Sequence, residues 1–259
     1  MLLAGRTAIV SGVGPGLGRS IALALAAEGA SLGIGARSAD YLETLAAELA
    51  AGGTDVVACR TDISEPEDCR RFAARVRERL GRVDVLVNNA HQSQPQQRFD
   101  EAELPAWHAS MDVNYWGSLA MTQAVVPYMK ELGEGRVIMI NSMAMARIRP
   151  GDGPYVGSKS ALSAATRYLA TDLGPFGIRV NGVHPGYMLE EKLERHFERV
   201  AADRAITPEQ ARDEVASGAR LGYIPSTDEV AGTVVYLASP LSRPVTGQSI
   251  HVNAGFHIA

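Results

Sequence analysis

Short apolar runs alternate with longer helical patterns along almost the whole chain, and this rhythm constrains the fold more than any other feature. The runs at 7–11, 31–36, 56–60, 85–88, 136–141, 179–184 and 249–252 read as strands. The stretches at 17–28, 40–51, 65–80, 104–131, 155–174 and 227–239 read as helices. Strand–helix alternation of this kind gives an α/β fold, a parallel sheet with helices on both faces. Strands covered on both faces need not alternate polar and apolar residues, and these mostly do not. Ligands of such sheets bind beyond the carboxyl ends of the strands, so the residues just after each strand are the ones to read for chemistry.

The totals narrow the classes. A chain of 259 residues that is 46% apolar can bury one large core, so 1–259 is expected to be a single domain. The net charge is −4 and no Lys/Arg block stands out, which argues against a nucleic-acid partner. Cys59 and Cys69 are the only cysteines and read as reduced thiols. Met1 to Arg6 lacks the charged start and apolar run of a signal peptide. No apolar stretch reaches the roughly 20 residues of a membrane span. The expected location is the cytoplasm. The six histidines are scattered and no metal-ligand spacing occurs, so no metal is expected; no G-x-S-x-G elbow points to a hydrolase.

One segment breaks the rhythm. From 188 to 220, Glu190, Glu191, Glu194 and Glu198 interleave with Lys192, Arg195 and Arg199 at helical spacing. That pattern fits a solvated helix face. A long connection after a strand's carboxyl end also fits a substrate lid, here about 187–225, and the position favours the lid.

The first strand runs into Ser11-Gly12-Val13-Gly14-Pro15-Gly16-Leu17-Gly18-Arg19. Glycines let the backbone turn tightly and let a pyrophosphate approach the N–H groups that open the next helix. The context, between strand and helix near the N-terminus, is the one a dinucleotide cradle requires. The glycines fall at 12, 16 and 18, and that spacing resembles the short-chain dehydrogenase/reductase family, in its common subgroup of about 250 residues. The resemblance implies a Rossmann-like doubly wound, seven-stranded parallel sheet in the order 3-2-1-4-5-6-7. At the end of the second strand an acidic residue would hold the ribose of NAD, and an arginine the 2′-phosphate of NADP. Arg37 and Ser38 stand there, with no carboxylate before Asp40, so NADP(H) is favoured over NAD(H). The plainer reading of Arg37 is a solvated loop residue. By resemblance, Asp62, with Ile63 beside it, takes the adenine amino group. Asn88-Asn89-Ala90 matches a family motif, with His91 where the family has glycine. Pro185-Gly186 lies beside the nicotinamide. The family's threonine near the carboxamide is matched by Glu190, so that contact is not carried over.

Tyr155 and Lys159 stand four apart on a helix and share one face, so the ammonium can sit near the phenol. A nearby cation favours the phenolate, and Tyr155 then serves as general acid or base. Ser142, directly after the fifth strand, would hydrogen-bond the substrate oxygen. The resemblance adds Asn114, whose main-chain group holds a water in the family, and completes a group of Asn114, Ser142, Tyr155 and Lys159. It also implies hydride transfer between a ketone and a secondary alcohol, and a homodimer or homotetramer formed by the two long helices, a pairing that apolar positions such as Leu119, Ala120, Val125, Leu162 and Leu169 allow. Met143, Met145 and Ile148 point to a medium-sized, largely apolar substrate. An enoyl reductase and a cofactor-binding sensor without turnover are the alternatives. Enoyl reductases of the family place six residues between Tyr and Lys, against three here, and a sensor would typically have lost one of the four positions.

Overall fold

The computed structural model describes residues 1–258. Seven strands, β1 (Thr7–Ser11), β2 (Ser31–Ala36), β3 (Val56–Arg60), β4 (Val85–Asn88), β5 (Gly135–Ile140), β6 (Ile178–Pro185) and β7 (Ser249–Val252), form one parallel sheet. Their order is β3-β2-β1-β4-β5-β6-β7, as expected. The pleat explains why the strands read as continuous apolar runs. Ala8, Val10, Val85 and Val87 point into one buried cluster, while Ile9 and Leu86 point into the other.

The first cluster is closed by α1 (Leu17–Ala27), α2 (Ala39–Ala51) and α9 (Thr227–Ala238), through residues such as Ile21, Leu45 and Val234. The second is closed by α3 (Pro66–Leu80), α5 (Ser118–Leu132) and α6 (Gly153–Leu173), through Phe72, Met121 and Leu162. β2 carries glycine where α3 comes closest: a Cβ on Gly35 would lie 2.6 Å from the Phe72 ring. At the amino ends of the strands, the fully buried Asp84 accepts from Arg6 at 2.8 Å, from Arg82 at 2.7 Å and from the Thr7 amide at 2.9 Å.

Two expectations change. The stretch 104–131 is not one regular helix. It is α4 (Leu104–Met111), a π-helical turn over Asp112–Gly117, and then α5. Asn114 lies in that turn with its amide bonded to the backbone of Gln92, and Gly117 seats against Ile63, where a Cβ would be 2.7 Å from the side chain. Single π turns of this kind concentrate at functional sites. Of the apolar positions expected at a subunit interface, Val125 and Leu162 are fully buried inside this chain; Leu119, Ala120 and Leu169 keep partial exposure.

The charged insertion folds as α7 (Glu191–Arg204) and α8 (Pro208–Ala216). Glu191, Glu194, Arg195, Glu198 and Arg199 face outward, and Arg204 pairs with Glu214 at 2.6 Å and 2.9 Å. The inner face builds a small core of its own, with Phe197, Ala201, Ala211 and Ile224 against Met143 and Phe256. The segment's base is pinned where Leu189 pairs with Ser226 and its amide donates to Pro225 O at 2.8 Å. Among the described residues no helix is long and apolar enough to cross a membrane.

Candidate active site

A cleft of about 600 Å³ runs across the carboxyl ends of the strands. Its floor is the glycine turn after β1. A Cβ on Gly12 would lie 2.3 Å from the backbone of Ala90, and one on Gly18 would lie 2.5 Å from Gly12 O. Only glycine permits this packing. Asn89 locks the turn by donating to Gly12 O at 2.6 Å. Gly16, at φ 142, opens α1 with no side-chain cap, which leaves the helix N-terminus to a ligand. Among the described residues nothing lies within 4 Å of a Cβ built on Gly14, so the turn is open on its outer side. The residues fit a dinucleotide: Arg37, Ser38, Asp62, Ile63, Pro185 and Gly186 line the same cleft.

The details sharpen several of these positions. Arg37 is exposed and has no carboxylate within 4 Å among the described residues. Ser38 caps α2, accepting from the Tyr41 amide at 3.5 Å. One oxygen of Asp62 is taken by the Ser64 amide and hydroxyl, at 3.0 Å and 2.6 Å, leaving the other for an incoming donor. Glu190 enters the cradle from the insertion, and its Oε2 would come within 2.8 Å of a Cβ on Gly16. Burial pushes its carboxyl pKa up, against the pull of Lys192. His91 also lines the cleft; desolvation by the walls and then the Lys159 charge push its imidazole down to about 4, although the residue keeps solvent contact.

Beyond the cradle, the catalytic candidates converge. β5 ends at Ile140, and two residues on, Ser142 begins a tight turn in which its Oγ accepts from the Ala144 amide at 3.1 Å. Tyr155 lies in the first turn of α6, and Lys159 follows one turn later. Lys159 is 1% exposed; its Nζ donates to Ile140 O at 2.7 Å and sits 5.9 Å from the centre of the Tyr155 ring. Burial pushes the lysine down to about 7. Burial also raises the Tyr155 phenol, while its hydrogen bond with Ser142 works the other way and the Asp152 and Glu190 charges add to the rise.

Asn114 is bonded through both its main chain and its side chain. Its carbonyl accepts the Ser118 hydroxyl at 3.0 Å, and its side chain does the bridging. Its Oδ1 accepts from the Gln92 amide at 2.6 Å, and its Nδ2 donates to Gln92 O and to Ser158 Oγ, both at 2.9 Å. Ser158 in turn donates to Tyr155 O at 2.8 Å. The asparagine thus ties the loop after β4 to the turn that carries Tyr155. Sequence reasoning missed Gln92 and Ser158; the only signal was the position of Ser158 between Tyr155 and Lys159.

A second cavity, about 230 Å³, opens from Ser142 and Tyr155 away from the cradle. Of the three apolar residues expected to face substrate, Met143 lines it and Met145 and Ile148 do not; Ile148 is 70% exposed. Gln94, Gln96, Arg147, Arg149 and Tyr187 line it instead. The walls are more polar than the sequence led us to expect.

A parallel sheet in this order, a glycine cradle at its first turn and a Tyr–Lys pair over the fifth strand define a nicotinamide-dependent oxidoreductase of CH–OH and keto groups. The chain belongs to the short-chain dehydrogenase/reductase family: residues 12–257 match a family model described as enoyl-(acyl carrier protein) reductase, and curated relatives align over nearly the whole chain. The short-chain reductase protein NovJ of Streptomyces niveus is 34% identical over 96% of this chain and 92% of its own length. The 3-oxoacyl-(acyl-carrier-protein) reductase FabG of Staphylococcus epidermidis is 31% identical, covering 98% of this chain and 99% of its own. The 7alpha-hydroxysteroid dehydrogenase of Escherichia coli is also 31% identical, over 98% and 94%. A solved gluconate 5-dehydrogenase from Burkholderia cenocepacia, in complex with NADP and tartrate, superimposes with a TM-score of 0.88 at 32% identity, over 98% of this chain and 96% of that one.

Proposed function

We propose that the protein moves a hydride between NADP(H) and a ketone or secondary alcohol, with Tyr155 as the general acid/base. One observation carries this reading: Ser142 and Tyr155 line both the dinucleotide cleft and the second cavity, with Lys159 one helical turn away. A carbonyl oxygen between the Ser142 hydroxyl and the Tyr155 phenol is polarised by both, with its carbon facing the cleft. When bound, the nicotinamide supplies or takes the hydride. A tyrosine is protonated at neutral pH and burial shifts Tyr155 further that way, which suits it to protonate the developing alkoxide. The phenolate left behind is stabilised by Ser142 and by the nearby Lys159 ammonium. Asn114 positions this turn through Ser158.

Arg37, free of any carboxylate partner among the described residues, supports NADP(H) over NAD(H), and the solved relative carries NADP. The relatives named for 3-oxoacyl, hydroxysteroid and gluconate substrates all work on a keto or hydroxyl carbon. The matching family model bears an enoyl reductase description. The three residues between Tyr155 and Lys159 favour the ketone reading over that one. The insertion carrying α7 and α8 acts as the lid, within a single catalytic domain that associates as a homodimer or homotetramer.

The test is NADPH and NADH oxidation against a broad panel of ketones, with crotonyl thioesters as the enoyl arm. Turnover of ketones with NADPH preferred is expected. Failure across the ketone panel with both cofactors, or turnover of the enoyl arm alone, overturns the reading.

A further inference from the structure

We infer that the substrate carries a carboxylate, held by Arg147 and Arg149 across the second cavity from the reacting carbon. The inference rests on the reading that Ser142 and Tyr155 hold the carbonyl oxygen. Both guanidiniums line that cavity. Arg149 lies over the Tyr187 ring, 5.4 Å from its centre, and Arg147 over the Phe256 ring at 5.9 Å. Contact with a ring face positions a guanidinium while leaving its N–H fork for another partner.

The charge count identifies that partner. Among the described residues Asp152 is the one carboxylate on the cavity wall; it sits 3.9 Å from Arg149 and also accepts from Gln96 at 2.7 Å. Arg147 has no carboxylate within 4 Å among the described residues. Two cations against one anion leave one positive charge, which matches a single carboxylate. A planar carboxylate accepts two parallel bonds from a guanidinium, a geometry that neutral esters and amides reproduce poorly. The volume, about 230 Å³, lies below the roughly 300–1,000 Å³ of drug-sized pockets, so a short oxo or hydroxy acid suits it better than a bulky apolar skeleton.

The experiment uses matched pairs, acetoacetate and levulinate against their methyl esters, with the full-length protein and NADPH. The parent enzyme is expected to favour each acid over its ester in kcat/KM. Arg147→Gln is expected to lower kcat/KM for the acid at least about tenfold more than for the ester, the effect of losing a charge-assisted pair. Arg147→Lys should recover part of the difference. Equal losses on acid and ester, or a parent enzyme that prefers the esters, overturn the inference. Calorimetric titration of levulinate into the protein with NADP⁺ separates the two readings. Should neither substrate turn over while levulinate binding still depends on Arg147, the carboxylate site stands and the hydride reading falls. Ester turnover with no Arg147-dependent binding of levulinate gives the reverse result.

Discussion

Lys159 is buried with one hydrogen bond, to Ile140 O, and no carboxylate within 4 Å among the described residues. Its pKa of about 7 lies below the ordinary value of about 10.4. Between those values the unfolded chain holds a proton that the folded chain does not, so this residue makes stability rise with pH across that window. Lys159→Met lacks the term. The variant's melting temperature relative to the parent is therefore expected to fall steadily from about pH 7 to about pH 10. A constant difference would show that the ammonium is not desolvated. Arg37 gives a second test at this scale. Arg37→Gln is expected to reduce the NADPH-over-NADH ratio of kcat/KM by about ten- to a hundredfold, the worth of charged hydrogen bonds to a phosphate. An unchanged ratio would mark Arg37 as a solvated loop residue. Tyr155, Lys159, Ser142 and the glycines were legible because their chemistry fixes their spacing. Gln92 and Ser158 were not, because their roles exist only once the π turn brings Asn114 between them. Nor was the meaning of Arg147 and Arg149 legible, because it depends on what faces them in space.

At the level of elements, the strands were readable because burial on both faces leaves unbroken apolar runs bounded by turns. The break in 104–131 was not, since one extra residue in a turn barely disturbs a 3.6-residue period. The insertion's charges marked its solvated face and its position suggested a lid, but not the seat: Phe197 and Ala201 on the opposite face pack it on Met143 beside Ser142. Asp84 joins β1 and β4 to the Arg6 and Arg82 side chains. Burial alone would raise its pKa; the bonds from Arg82, Thr7 and Arg6 outweigh that and leave it lowered. Its contribution to stability is therefore present above the ordinary carboxylate pKa of about 3.9 and is lost as pH falls through the lower folded value. Asp84→Asn is expected to cost about 3–5 kcal/mol in urea unfolding near neutral pH and to flatten the acid limb of the stability curve. A loss under about 1 kcal/mol would contradict the account of this network.

Across the whole molecule, sheet order followed from the strand–helix rhythm together with the family resemblance, whereas assembly did not follow from apolar positions alone. Val125 and Leu162 serve the core, and the outer faces of α5 and α6 offer Leu119, Leu169 and the exposed Tyr168 instead. Light scattering at micromolar concentration is expected to give at least a dimer, and Tyr168→Glu to weaken it; a monomeric parent would contradict the proposed assembly. The sheet, cradle and cavities meet at Tyr155, so the most direct measurement is made there. Tyr155→Phe should lower hydride transfer between NADPH and a ketone by about 10²–10⁴-fold while NADPH affinity stays within about twofold of the parent. Turnover that survives the substitution, with cofactor binding intact, would contradict Tyr155 as the acid/base and with it the central claim.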